Sequence, residues 1–222
     1  MTTQISGDNG ILGQVGGTTF RGLHTHLKPI EYGALGHYRV NHRCALVNTQ
    51  AANSRLLSLR NTHASNLIIL TRLQIKWMQT GAHTAAIEDS IDVFKVTGFT
   101  AVDNTNVVTP TASRLRTTMA AAPGGAAVTG VTVAGAAAGM TGGTLTKDGG
   151  SVGQLPAWLL AAQPTGSQMW GLAMENFADI LGAHPFVFAQ NEGLIVENRV
   201  LLGAAAASTV YLDMEWAEVT AY

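Results

Sequence analysis

The chain has 222 residues with 13 basic and 14 acidic side chains, a formal net charge of −1 and only 12% charged residues. Near-neutrality argues against a phosphate-binding surface as the main function, and a single cysteine, Cys44, excludes a disulfide framework. A chain of this length buries roughly 70% of its unfolded surface, so one large domain can fold without metal or disulfide.

The opening residues MTTQISGDNGILG have neither a basic nor an apolar segment, so no signal peptide is expected. No run of about 18 apolar residues occurs, so no membrane helix is expected either. Alanine, glycine and threonine replace the missing charges, and mean hydropathy is +0.18. Two readings fit: a β protein rich in small residues, or a subunit that spends its surface on other subunits, since interface cores are depleted in charge.

Residues 1–20 are polar and glycine-rich and read as an N-terminal arm that orders only on docking. Residues 21–222 read as one β-sandwich domain. Over 37–47, Tyr38, Val40, His42, Cys44 and Leu46 alternate with Arg39, Asn41 and Arg43, the period of a half-buried strand. Arg55–Arg60 is a short strand. In 66–79, Leu67, Ile69, Thr71, Leu73, Ile75 and Trp77 are expected on one face, with Arg72, Gln74 and Lys76 opposite. Asn61–Asn66, rich in turn formers, connects these two strands. Residues 87–100 continue with Ile91, Val93 and Phe94, then Val96, punctuated by Gly81 and Gly98.

The tract 118–153 is glycine-, alanine- and threonine-rich with little apolar bulk, and reads as an insertion unable to build a core. It is expected to be a surface loop, or a lobe ordered against a neighbouring subunit. Removing residues 120–150 is then expected to leave the domain folded and weaken assembly. Leu155–Ala162 and Glu175–Leu181 look like short helices, with Pro156 at the first helical turn and Gly182 as a stop. The last forty residues read as two strands folded against each other. Phe186 and Phe188 alternate with Val187 and Ala189, and Leu194, Val196 and Val200 with Glu197 and Arg199. In Ser208–Val219, Val210, Leu212, Met214 and Trp216 share a dry face. Strands at roughly ten-residue spacing predict an all-β, jelly-roll-like sandwich with that long insertion and one or two short helices.

No catalytic constellation stands out. His24-Thr-His26 places two imidazoles on one face of a strand, and Glu31 follows, so the three are weak candidate metal ligands. The His-x-His-x4-Glu order resembles the first motif of the cupins, which implies a metal-binding β-barrel. Thr18 and Tyr38 stand where that motif has glycines, and Pro164–Gly166 runs on to Met169 where the second motif needs histidine. His42 and Cys44, parallel on one strand, are expected to be core residues, not a nucleophile and its base. No G-x-S-x-G elbow or phosphate loop is present. Glu88, Asp89 and Asp92 form an acidic cluster read as a solvated loop. Arg114 and Arg116 are too isolated for a nucleic-acid patch. Trp77, Trp158, Trp170 and Trp216 are read as core or interface aromatics.

The C-terminal tract, from HPFVFAQNEGLIVENRVLLG through Ser208–Val219, resembles the end of structural proteins of tailed-bacteriophage virions. The matching residues are Asn191, Glu192, Gly193, Ile195, Asn198, Glu215, Trp216, Ala217 and Glu218. The resemblance covers about a sixth of the chain and implies a jelly-roll virion component. The expected role is a capsid-associated subunit, a decoration, cement or minor capsid protein, present in the virion and made in the host cytoplasm. Expected partners are further copies in a homo-oligomer, such as a trimer, and virion proteins such as the major capsid protein. No enzyme activity, cofactor, direct nucleic-acid contact or membrane contact is expected. The alternatives are a neck, tail or fibre module that binds host glycans through an exposed aromatic near carboxylates, and a cupin-like metalloenzyme using His24, His26 and Glu31.

Overall fold

The computed structural model describes residues 3–6, 12–15, 35–47, 49–132, 138–162, 168–175, 185–203 and 208–220. The chain forms two compact units, Met1–Glu31 and Tyr32–Tyr222. In the first, β1 (Thr3–Ser6) and β2 (Leu12–Val15) make an antiparallel hairpin.

The second unit is a two-sheet antiparallel sandwich. Its principal strands are β3 (Gly36–Leu46), β4 (Ser54–Asn61), β5 (Leu67–Gln79), β6 (Ile87–Ala101), β11 (Gly153–Leu159), β12 (Gln168–Glu175), β14 (Gly193–Asn198) and β15 (Ser208–Val219). Successive principal strands cross between the sheets, except that β6 and β11 pair within one sheet. One sheet runs β3-β15-β5-β12 and the other β4-β14-β6-β11, the connectivity of a jelly roll. Short strands extend both: β7 (Val107–Val108), β8 (Ser113–Arg114), β9 (Ala126–Val131), β10 (Thr144–Lys147) and β13 (Phe186–Phe188). The all-β sandwich expected from period-two alternation is what forms, because each strand has one apolar face and the two sheets bury those faces against each other. Leu56, Leu59, Ile75, Trp77, Val93, Met214 and Trp216 are fully or almost fully buried in that core.

Three expectations fail. No helix occurs among the described residues. Leu155–Leu159 belongs to β11, where Leu155, Ala157 and Leu159 face the core while Gln154, Pro156 and Trp158 face outward. Pro156 is tolerated because β11 is an edge strand. Of the second predicted helix, Glu175 ends β12 and the rest lies outside the described residues.

The tract 118–153 is not an external loop. Its β9 pairs with β4 and its β10 with β6, and Val128, Val131 and Met140 join the core. Small residues serve here because the neighbours approach closely. A Cβ at Gly130 would stand 2.5 Å from the His42 ring, and one at Gly139 2.9 Å from the Arg55 carbonyl oxygen.

The face assignment of β5 is right only in its second half. Arg72 pairs with Glu215 but Leu70 with Trp216, so Thr71 is an extra residue, a β-bulge. Across it the phase slips by one. Leu73, Ile75 and Trp77 point into the core as expected, but Ile68 and Leu70 replace Leu67 and Ile69 there.

Candidate functional site

Both sheets end on one flank of the sandwich. There β11 pairs only with β6, and β12 only with β5, among the described residues. The flank is open and of mixed character. Trp158 is 54% and Met169 64% exposed, the two most open large apolar side chains on these strands. A cleft of about 430 Å³ lies between them, lined by Trp158, Leu160, Met169 and Trp170. Trp170 packs edge-on to the buried Trp77 at 6.5 Å between ring centroids, which ties the cleft to the core.

Fully buried Gln79 fixes the cleft's position. Its Oε1 accepts from Leu160 N at 3.0 Å, and its Nε2 donates to Leu160 O at 2.8 Å and Gly81 O at 2.7 Å. One amide side chain thus binds both polar groups at the end of β11 to the end of β5. His83 N adds a bond to Leu160 O, and its ring Nε2 lies 3.0 Å from Ser208 Oγ. Burial holds the His83 imidazole below its ordinary pKa.

Outward on β11, Trp158 stands directly across from Glu88 of β6, and both are exposed. An exposed indole beside a carboxylate therefore exists at this edge. Asp89 and Asp92 are not a solvated loop; they lie on β6 and are buried. Asp89 Oδ1 accepts from Ser90 N at 2.7 Å and Val200 N at 2.9 Å. Its Oδ2 is buried without a partner, and burial pushes the carboxyl up to about 6. Asp92 accepts from Ser90 Oγ at 2.7 Å, and Gln154 donates to the same hydroxyl. This cluster anchors the turn after β14 to the start of β6.

His42 and Cys44 share the core face, as expected. Cys44 is fully buried, and desolvation pushes its thiol well above the ordinary range. The His42 ring lies against Gly130, and burial lowers its pKa. Among the described residues no base reaches the thiol, whose recorded polar contact is to Leu56 O at 3.8 Å. His24, His26 and Glu31 lie outside the described residues, and among the described residues no cluster of three or more His, Cys, Asp or Glu side chains is placed to hold a metal. Arg114 and Arg116 are exposed, and the Arg114 guanidinium donates to Met119 O.

The outer face of the smaller sheet differs in character from the flank. Arg39 and Arg72 interleave with Asp213 and Glu215 across three strands: Arg39 bonds Asp213, Arg72 approaches Glu215 at 2.9 Å, and the crossed pairs are 3.5–3.6 Å apart. Each cation has two anionic neighbours, which keeps this face charged, wet and internally neutralised.

Sequence reasoning missed Gln79 and Glu218. Buried Glu218, at the end of β15, accepts from Gly124 N, Gly125 N and Ala126 N at 2.9–3.2 Å. It staples the approach to β9 in one sheet to β15 in the other. A glutamate at a strand end carries no signal of that role; the glycine pair Gly124–Gly125 opposite a buried acid would have been the only hint.

The chain matches no known protein-family model, no curated protein and no solved structure.

Proposed function

We propose that this chain is a structural subunit of a bacteriophage virion, capsid-associated as a decoration, cement or minor capsid protein, that works by contact and not by turnover. The supporting observation is the open flank, with Trp158 and Met169 exposed beside two strand edges that are unpaired among the described residues. Isolated exposed apolar residues are ordinary, but two large ones around one cleft beside unpaired edges offer a surface suited to another chain. The low charge of the chain removes electrostatic opposition to such contacts. The virion setting comes from the texture of the C-terminal strands, and the expected partners are further copies and the major capsid protein.

Native mass spectrometry of the purified protein tests this reading. A metal-free symmetric oligomer is expected. A monomer carrying one transition metal would overturn it in favour of an enzyme built on His24, His26 and Glu31.

A second reading is favoured by Trp158 itself. An indole facing outward with Glu88 across the strand supplies a stacking plane and a hydrogen-bond acceptor, the chemistry by which a neck, tail or fibre module holds a sugar. Quenching of tryptophan fluorescence by host oligosaccharides, lost in Trp158→Ala, would establish it.

A further inference from the structure

The charges of Arg39, Arg72, Asp213 and Glu215 cancel on the outer face of the smaller sheet. The row of side chains beyond them does not cancel. There Tyr211 of β15 pairs with Arg43 of β3 on one side and with Lys76 of β5 on the other. We propose that Arg43, Tyr211 and Lys76 bind an acidic sugar, its ring lying on the phenol and its sulfate, phosphate or carboxylate held between the two cations. This site goes beyond the contact reading and does not depend on it.

Charge is the first support. Arg43, Tyr211 and Lys76 are all exposed, and among the described residues no carboxylate lies within ion-pair distance of either cation. Arg55, Lys95, Lys147 and Arg199, by contrast, each stand beside an acid. The next acid on this face of β15, Asp213, is two residues on, about 7 Å along the strand, and is already engaged by Arg39 and Arg72. An anion arriving over Tyr211 therefore meets two positive charges that no neighbouring acid offsets.

Geometry is the second. Directly opposed residues of paired strands share a face, and neighbouring strands stand about 4.8 Å apart. The Arg43 and Lys76 Cα atoms are thus about 10 Å apart with Tyr211 between them, a span that two long side chains close on a single group. The guanidinium leans that way: Arg43 Cζ lies 6.0 Å from the Tyr211 ring centroid. Beyond Lys76 stands Gly171, exposed, where even a Cβ would meet nothing nearer than the Ile75 carbonyl oxygen at 3.9 Å. The lysine side of the row is therefore open to a ligand. All three residues sit on hydrogen-bonded strands, so little backbone freedom is lost on binding.

Chemistry is the third. An exposed phenol ring offers an apolar plane to the C–H face of a sugar, and a guanidinium takes sulfate, phosphate or carboxylate through paired N–H bonds. Exposed Asn41, in the neighbouring row across from Asp213, adds an amide for hydroxyl groups. A nucleic-acid strand needs cations repeated along its backbone. Here one pair of cations stands next to a row that contains Asp213, which suits one anionic group.

Anisotropy of a fluorescently labelled sulfated disaccharide, titrated with the full chain, tests the site. The sulfated sugar is expected to bind and its unsulfated parent is not. Phosphate and carboxylate analogues of the same disaccharide, competing with the label, identify which anion the site takes. An exposed ion pair is worth up to about fivefold in affinity, so Arg43→Ala and Lys76→Ala should each weaken binding about fivefold. Arg116→Ala, at an exposed cation with no acid beside it, is the control and should change nothing. Tyr211→Leu, which keeps the bulk but not the ring, should reduce the affinity to that of inorganic sulfate. If Arg116→Ala weakens binding as much as Arg43→Ala, the chain reads charge alone and the site is wrong. If Tyr211→Leu binds as the wild type does, or a single-stranded oligonucleotide displaces the label at lower concentration than the unlabelled disaccharide, the sugar assignment is overturned. Loss of binding in Trp158→Ala would move the sugar to the β11 edge and overturn it too.

Discussion

Replacing Glu218 with alanine probes the joint on which the sandwich closes. Its carboxylate accepts backbone N–H bonds at 2.9 Å from Gly124, 3.2 Å from Gly125 and 3.1 Å from Ala126. Gly124 is exposed, so water replaces that bond in the variant, whereas Gly125 is buried and Ala126 half-buried. A bond to a charged group contributes about 1.5–3 kcal/mol, and leaving a buried donor unpaired costs about as much. Two such losses give about 3–6 kcal/mol, nearer the lower end because Ala126 is only half-buried; this is a large part of the 5–15 kcal/mol by which domains are typically stable. At about 2–4 °C per kcal/mol for a domain of this size, Glu218→Ala should lower Tm by about 10 °C. Glu218→Gln separates charge from geometry. Its retained oxygen can face Gly125 N and Ala126 N, both served by Oε1, while its amide group meets the exposed Gly124. It should cost about half as much. Guanidinium unfolding followed by tryptophan fluorescence reads both variants, since Trp77 and Trp216 are buried in the core. A loss below about 1 kcal/mol for Glu218→Ala would refute the staple and show that the tract before β9 is held by strand pairing alone.

Three further outcomes are expected. Deleting residues 126–147 removes β9, β10 and the core side chains Val128, Val131 and Met140; cooperative unfolding should disappear, and a sharp calorimetric transition in the deletion would overturn their place in the core. Asp89, His42 and His83 pull stability in opposite directions with pH. The buried histidines have folded pKa values below 6.5, so their contribution is full above 6.5 and is lost as pH falls below it. Asp89 is raised from 3.8 to about 6, so its contribution is full below 3.8 and is lost as pH rises through 6. Asp89→Asn should therefore steepen the rise of denaturation midpoint between pH 4 and pH 6; an unchanged slope would show that Asp89 keeps its ordinary pKa. Cys44, buried with its thiol pKa pushed up, should resist a thiol reagent in the native protein and react on unfolding. Rapid native labelling would contradict its placement between the sheets.

Several residues of the C-terminal tract hold positions that this architecture needs. Asn191 adopts φ 61°, a left-handed conformation that asparagine tolerates, and accepts from Arg60 at 2.9 Å. Gly193 must lack a side chain, because a Cβ would stand 1.9 Å from the Leu59 carbonyl oxygen. Asn198 is fully buried and donates to Ala51 O and Val200 O. Trp216 fills the core beside Tyr38 at 5.8 Å, and Glu218 staples the sheets. These residues report how β14 and β15 are built into the sandwich, and the fold alone leaves the activity open.

Alternation along β3 and through the middle of β15 determined that these segments are strands and which face is dry, because the pleat gives every strand a period of two; β14 is a strand as expected, but it is buried on both faces, Glu197 included. Alternation also determined that His42 and Cys44 lie together inside, since both sit on the apolar parity of one strand. Tertiary structure decided the rest. The bulge at Thr71 reverses the faces of β5, a slip set by the register against β15 and invisible in β5 alone. The tract 118–153 has too little bulk to read as core, yet its small side chains fit because β4 and His42 crowd it. Trp158 and Pro156 read as a helix from local spacing. They lie on an edge strand because β6 offers a free ladder, and a partner strand outweighs the propensity of seven residues. Which apolar side chains remain outside, Trp158 and Met169 among them, follows from where each sheet runs out of strands, and that is a property of the closed sandwich, not of any segment.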